Sequence, residues 1–288
     1  MEYGILNQSA VVIYGYAGRV KKSGGETVCA IADEGLYGMA VRITGEEEQG
    51  FLPVITHYGY RGYAAAEDLT LVGEEEVKLR DGNDYRVVRA ACADVLSLPK
   101  VTGVPLLALY RGALVQMLEE SGDWAKVRLL NGAYGYVRSQ ALMKRRFSQS
   151  FLWSGILPQA EVKEEDFRRE VVETALSYLG TQYRWGGKSS LGIDCSGLTS
   201  MAYMLNGILI YRDANIEDGY PVKKISITRI QPGDLLYFPG HTAMYLGLGR
   251  YVHATGREGT VTVSSLKPEE TCYRKDLAEQ IVAAGSIF

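Results

Sequence analysis

The chain has 288 residues, of which 47% are hydrophobic and 23% charged, and a formal net charge of −3. The length exceeds what one core needs, so two or three domains are expected, and the near-neutral charge gives no electrostatic case for binding nucleic acid or an anionic membrane. No apolar run is long enough to span a bilayer, and Cys29, Cys92, Cys195 and Cys272 are too scattered for a zinc site or a disulfide framework, so no metal is expected.

The first half repeats itself. Shifting the chain by 73 residues places Leu36-Tyr37 on Leu109-Tyr110, Glu46-Glu47 on Glu119-Glu120, and Phe51 on Trp124. Gly59, Gly62, Tyr63 and Leu69 fall on Gly132, Gly135, Tyr136 and Leu142, with no gap from Leu36 to Leu69. This is a tandem duplication. In the second copy, short strands at 106–110, 114–119, 124–129 and 134–137 are separated by Arg-Gly, Ser-Gly-Asp and Asn-Gly turn signals. Short strands at that spacing predict a small barrel in each copy. The first copy is the looser one, with an edge near Ser9. It also carries His57-Tyr58-Gly59-Tyr60, which the second copy matches only in part; an exposed aromatic turn is the simplest expectation for His57 and Tyr58. A linker follows at 147–163, with aromatic residues (Phe147, Phe151, Trp153) that suit packing against a domain.

From residue 164 the pattern changes to α+β. Glu164-Glu165-Asp166 opens a helix whose buried stripe is Phe167, Val171, Ala175, Leu176 and Leu179, with Gly180 as its end. A second helix follows Gly192-Ile193-Asp194-Cys195-Ser196-Gly197. Leu198, Met201, Ala202 and Leu205 give its apolar face, Asp194 its N-cap and Asn206-Gly207 its stop. Cys195 therefore falls in the first turn, where the helix N-terminus favours a thiolate. A lone cysteine is more often a small buried hydrophobe, which is the reading for Cys29, Cys92 and Cys272. Strands are then expected at 235–238, 241–246 and 250–254.

The hairpin of the last two strands offers a test of Cys195. With Gly247-Leu248-Gly249 as a three-residue loop, Leu246 faces Arg250 and Ala243 faces His253. His241 and His253, two of the three histidines in the chain, then become diagonal neighbours on one face, about 7–8 Å apart along the backbone. A cysteine, a base histidine and a histidine that holds it are the working parts of a cysteine hydrolase.

Two families are resembled. Leu-Tyr-x-Gly, Gly-Asp-Trp-x-x-Val and Gly-Tyr-Val in the second copy resemble bacterial SH3-like domains, which gives SH3-like domains at 1–73 and 74–146. Tyr183-Arg184-Trp185-Gly186-Gly187, Asp194-Cys195-Ser196-Gly197-Leu198, Pro232-Gly233-Asp234-Leu235, Gly240-His241-Thr242-Ala243 and Val252-His253-Ala254 resemble the NlpC-type cell-wall peptidases. The resemblance implies a multi-domain fold: two all-β SH3-like barrels, then an α+β papain-like peptidase domain at 164–288. It implies Cys195, His241 and His253 as catalytic residues and no cofactor. The two SH3-like domains resemble one subgroup, which cleaves γ-D-glutamyl–diamino acid bonds of peptidoglycan stem peptides that have a free N-terminal L-alanine. That likeness implies substrate-binding roles for Asp194, Ser196, Tyr60 and Asp213, the last in the Arg212-Asp213 pair, where Ala214 replaces the family's frequent hydroxyl residue. The expected partner is a peptidoglycan-derived stem peptide, with no nucleic acid or membrane, and the expected state is a monomer. Met1-Glu2-Tyr3-Gly4 shows no signal-peptide pattern, so the expected location is the cytoplasm, with secretion or wall association the alternative. A wall-binding protein with a weak or inactive peptidase domain, and an amidase or acyltransferase on the same fold, are the competing functions.

Overall fold

Turn chemistry sets the first half. The computed structural model describes residues 2–82, 84–147 and 163–288, and the chain forms two units, Met1–Ile156 and Leu157–Phe288. Most of the linker at 147–163 lies outside the described residues. In the first unit, strands β1 (Glu2–Leu6), β2 (Ala10–Tyr14), β5 (Ile31–Leu36), β6 (Ala40–Ile43), β7 (Phe51–Thr56), β8 (Arg61–Ala65) and β9 (Leu69–Gly73) form one sheet. A separate hairpin, β3 (Val20–Ser23) with β4 (Glu26–Cys29), lies between β2 and β5 in sequence. Helix α1 (Glu74–Gly82) leads to the second copy: β10 (Tyr85–Val88), β11 (Cys92–Leu96), β12 (Pro105–Tyr110), β13 (Leu114–Ser121), β14 (Trp124–Arg128), β15 (Tyr134–Arg138) and β16 (Leu142–Lys144).

The two sheets have one topology. Their strand orders are β5-β2-β8-β7-β6-β1-β9 and β12-β11-β15-β14-β13-β10-β16, which match term by term. Residues alternate in and out, as half-buried strands require: along β2, Val11 and Ile13 are buried and their neighbours are not. The register explains why the first copy looked loose. Tyr3 pairs with Arg42 and Arg86 with Val115. Arg86 is 83 positions beyond Tyr3, while Val115 is 73 beyond Arg42, so the first copy is ten residues longer between them. The β3–β4 hairpin falls in that stretch, and the first strand of this copy starts at Glu2.

The two barrels are tied together by buried polar contacts. Arg80, on α1, donates to the Gly38 carbonyl at 2.7 Å and the Tyr85 hydroxyl at 2.9 Å. The Leu130 N–H donates to the Tyr37 hydroxyl at 2.7 Å, and the Leu114 N–H to the Tyr37 carbonyl at 2.8 Å. Gly38 has φ +80°, and a Cβ there would lie 2.1 Å from the Leu114 carbonyl oxygen, so glycine is required by both conformation and space. His57 and Tyr58 depart from the exposed turn expected of them. Both are buried; the His57 ring stacks on Phe147, and Tyr58 donates to the Asp33 carboxylate.

The second unit holds two helices against an antiparallel sheet. Helix α2 (Glu164–Leu176) buries Phe167, Val171 and Ala175, but it stops before Leu179, which is exposed. After the short pair β17 (Lys188–Ser189) and β18 (Gly192–Ile193) comes α3 (Cys195–Leu205), buried along its whole length. A helix buried on every side belongs inside a domain, and the Thr199 and Ser200 hydroxyls of α3 bond back to the Ser196 and Gly197 carbonyls. It packs on α2 and on two strands of a six-stranded sheet made of β19 (Lys223–Ile225), β20 (Leu235–Phe238), β21 (His241–Gly247), β22 (Arg250–Thr255), β23 (Thr260–Ser265) and β24 (Ala283–Ser286). The sheet order is β19-β24-β20-β21-β22-β23. Each fully buried Leu or Met of α3 contributes about 1.5–3 kcal/mol, and this fixes the height of Cys195 over the sheet. The cysteines outside the site differ from the buried thiols expected: Cys29 and Cys92 are exposed and Cys272 is half-buried. Cys29 ends a strand of the two-stranded hairpin, Cys92 opens β11 and Cys272 lies in a turn.

Candidate active site

Asp194 caps α3 as its side-chain chemistry predicts. Its backbone is extended (φ −94°, ψ −179°) and its Oδ1 accepts from the Gly197 N–H at 2.6 Å. Gly197 is forced by close approach, since a Cβ there would lie 2.3 Å from the Gly187 carbonyl oxygen. The loop after Trp185 is thereby held against the helix start. The Asp194 N–H donates to the Gly187 carbonyl at 3.2 Å, and the Gly186 N–H donates to Asp194 Oδ2 at 2.8 Å.

Arg212 completes this arrangement. Its two terminal nitrogens reach the two Asp194 oxygens at 3.0 Å each, a bidentate pair, and Nη1 also donates to Ser196 Oγ at 2.7 Å. Arg212 is 2% exposed and Asp194 7%, so each charge has its counter-charge where water does not compensate. Asp194 and Ser196, the residues on either side of Cys195, are thus fixed by one guanidinium. In the sequence Arg212 stands out only as part of a motif, because its partner lies eighteen residues away. Asp213 is half-buried beside Tyr211 and accepts the Asn215 N–H through its carbonyl at 2.9 Å. Tyr60 lies in the first unit, in the turn between β7 and β8, where its N–H donates to Thr56 Oγ1 at 3.0 Å.

The histidines meet. Tyr245 pairs with Tyr251 and Met244 with Val252, which is the register expected, but by a different route. Gly247 pairs with Arg250 and Leu246 forms a bulge. The loop is then Leu248-Gly249, with φ +54° and +86°, the two positive values of a type I′ turn. A two-residue loop plus one bulge residue restores the register of a three-residue loop. His241 Nε2 lies 2.8 Å from His253 Nδ1, with ring centroids 5.1 Å apart.

The Cys195 thiol lies against the backbone N–H groups of Ser196 and of Thr242, the residue after His241. Burial pushes the thiol above its ordinary range, and the Asp194 charge adds to the rise; the two N–H groups and Arg212 oppose it without prevailing. The helix N-terminus is therefore outweighed, and Cys195 is held above its ordinary range rather than drawn toward the expected thiolate. Burial, then the Arg274 charge, depresses His241 to about 4. Burial, His241 and Arg274 depress His253 to about 3. With the two rings hydrogen-bonded to each other through His241 Nε2, Nδ1 is the His241 nitrogen left for another partner. Tyr183, which the sequence marks only as part of the Tyr183-Arg184-Trp185 motif, is pushed up to about 12 by burial and by the charges of Cys195 and Asp194. Arg274, bound to Asp276 at 2.8 and 2.7 Å and to Glu258 at 3.0 Å, supplies the field on the histidines and was not legible in the sequence.

Residues 180–279, which contain all of Cys195, His241 and His253, match the NlpC/P60 family profile. The chain is 44% identical over 262 residues to a Lysinibacillus sphaericus protein named dipeptidyl-peptidase 6, covering 90% of this chain and 92% of that one. It is 28% identical over 151 residues to a Bacillus subtilis (strain 168) protein named gamma-D-glutamyl-L-lysine dipeptidyl-peptidase, over 50% of this chain and 48% of the relative. Its fold is similar to a crystal structure of an NlpC/P60 family protein from Bacillus cereus ATCC 10987, with a TM-score of 0.74, 20% identity and 98% of each chain covered.

Proposed function

The chain belongs to the NlpC/P60 family and is a cysteine peptidase of peptidoglycan chemistry, and from that premise we propose that it is a dipeptidyl peptidase. Its substrate is a stem peptide with a free N-terminal L-alanine, and the bond it cuts joins γ-D-glutamate to the diamino acid. The observation that supports the reading is the His241–His253 hydrogen bond, with Cys195 at the start of α3, in a chain so similar along nearly its whole length to a protein named dipeptidyl-peptidase 6.

The chemistry follows from the protonation states. Cys195 Sγ attacks the γ-carbonyl carbon as its proton passes to His241 Nδ1. The negative oxygen that develops is met by the N–H of Cys195 at the helix start. The C–N bond then breaks, and His241 returns the proton to the departing amine of the diamino acid. Water attacks the thioester in the second half, with His241 again the base, releasing L-Ala-γ-D-Glu and restoring the thiol. His253 holds the His241 ring in the orientation both halves need. Asp194, Ser196 and Arg212 form a rigid polar wall beside Cys195, suited to the polar amino end of a dipeptide.

The test is a peptide panel followed by mass spectrometry. L-Ala-γ-D-Glu-L-Lys and its meso-diaminopimelate counterpart should release the intact dipeptide, and the N-acetylated peptides should not. Equal cleavage of the acetylated peptides, or cutting after L-alanine, would refute the proposal.

A further inference from the structure

The catalytic histidines do not end their hydrogen-bonded line at His253. On β22 and β23, His253 faces Thr262 and Tyr251 faces Ser264. Residues two apart in a strand share a face, so Tyr251, His253, Thr262 and Ser264 lie on one side of the sheet. Ser264 is the diagonal neighbour of His253, and its Oγ lies 3.0 Å from His253 Nε2. His253 is 0% exposed and Ser264 4%. The line His241–His253–Ser264 thus crosses three adjacent strands inside the protein.

We propose that Ser264 is a positioning residue that fixes the tautomer of His253 and, through it, keeps His241 in its base form. The proposal rests on the peptidase reading above. His241 can take the thiol proton at Nδ1 only if its own hydrogen is on Nε2. That hydrogen points at His253 Nδ1, which must therefore be bare. The hydrogen of the neutral His253 is then on Nε2 and needs an acceptor in a site without solvent. Ser264 Oγ stands at that position. If His253 carried its hydrogen on Nδ1 instead, two N–H groups would face each other across 2.8 Å, and His241 would have to move its hydrogen to Nδ1 and lose its base.

Ser264 orients without transferring. When His241 becomes doubly protonated it keeps its hydrogen on Nε2, His253 keeps its own, and no bond to Ser264 is made or broken. A neutral acceptor suits a ring that stays neutral. The groups that bear on His253 are His241, Arg274 and Asp276 electrostatically, Ser264 by hydrogen bond, and Tyr251 by an edge contact with centroids 5.0 Å apart. A carboxylate in place of the hydroxyl would draw a proton onto His253 and remove the acceptor that His241 requires.

The experiment compares the full-length wild type with Ser264→Ala and Ser264→Thr by three readouts. Two-bond ¹H–¹⁵N spectra assign the histidine tautomers. Peptide-resolved iodoacetamide labelling follows the pH dependence of Cys195 reactivity. Hydrolysis of L-Ala-γ-D-Glu-L-Lys gives kcat and KM. The expected wild-type spectrum shows His253 with its hydrogen on Nε2. Ser264→Ala should lower kcat about tenfold to hundredfold, the range typical of partners that orient a site histidine, with little change in KM. Its Cys195 labelling should slow, and Ser264→Thr, which keeps the hydroxyl, should restore both. A wild-type His253 with its hydrogen on Nδ1, or a folded Ser264→Ala with unchanged kcat and labelling, would overturn the proposal. If Ser264→Ala does not fold, the wild-type tautomer and Ser264→Thr decide it. Tautomer and labelling as expected, without hydrolysis of the tripeptide, would sustain this proposal and defeat the substrate reading.

Discussion

At the residue scale the site depends on burial overcoming position. Asp194-Cys195-Ser196-Gly197 was legible as a capped helix start because capping is local: a carboxylate, an extended backbone and the N–H three residues on. The protonation state was not legible, because desolvation comes from β21 and β22, far away in sequence. With His241 depressed to about 4, the neutral ring persists well below the ordinary histidine range. kcat/KM should therefore hold from pH 7 through 6 and fall only as pH approaches about 4; an acid limb centred near 6.5 would show that the ring is not buried as described. Arg212 was illegible for the opposite reason, since a charge pair over eighteen residues leaves no spacing signal. Arg212→Met should strand the Asp194 carboxylate and destabilise the peptidase unit by about 3–5 kcal/mol, as breaking a buried pair does. Thermal denaturation measures this, and Arg212→Lys should recover little, because one ammonium cannot span both oxygens.

At the scale of elements, registers carried the sequence argument and local irregularities corrected it. The diagonal contact of His241 and His253 followed from strand periodicity, although the loop proved to be two residues with a bulge at Leu246. Bulges have no fixed signature, and here the bulge left the register unchanged. Leu248 has φ +54° and is 81% exposed, a conformation that costs a non-glycine residue roughly 1–2 kcal/mol. Leu248→Asn, the residue favoured in this turn type, should raise the melting temperature of the unit without changing kcat. A drop would mean that the leucine packs in a way its exposure does not indicate. In the first unit, Gly38→Ala should destabilise the paired barrels, because both the positive φ and the Leu114 carbonyl exclude a Cβ. Calorimetry checks the direction, and an unchanged transition would show that the Tyr37–Gly38 contact is dispensable.

For the whole molecule, duplication was visible from a single offset, while the ten-residue difference between the copies needed paired strands to locate it. The α+β pattern of the second unit was legible from cap, stripe and turn signals, but the exposure of Cys29 and Cys92 was not, because a strand residue's solvent contact depends on its neighbours. The buried His253 and the half-buried His241 also set how the peptidase unit responds to acid. Both have folded values below the 6.5 of the unfolded chain, so above that pH neither state takes up a proton and stability is full. As pH falls from 6.5 to about 3 the unfolded chain binds protons that the folded one refuses, and stability is lost; urea midpoints that stay constant over this range would contradict the burial. The account as a whole stands on Cys195 as the nucleophile for one bond. The most direct measurement is dipeptide release from L-Ala-γ-D-Glu-L-Lys by wild type and by Cys195→Ala, with both proteins shown to be folded. The account predicts L-Ala-γ-D-Glu and free lysine from the wild type and none from the variant; release at an equal rate by Cys195→Ala would contradict it.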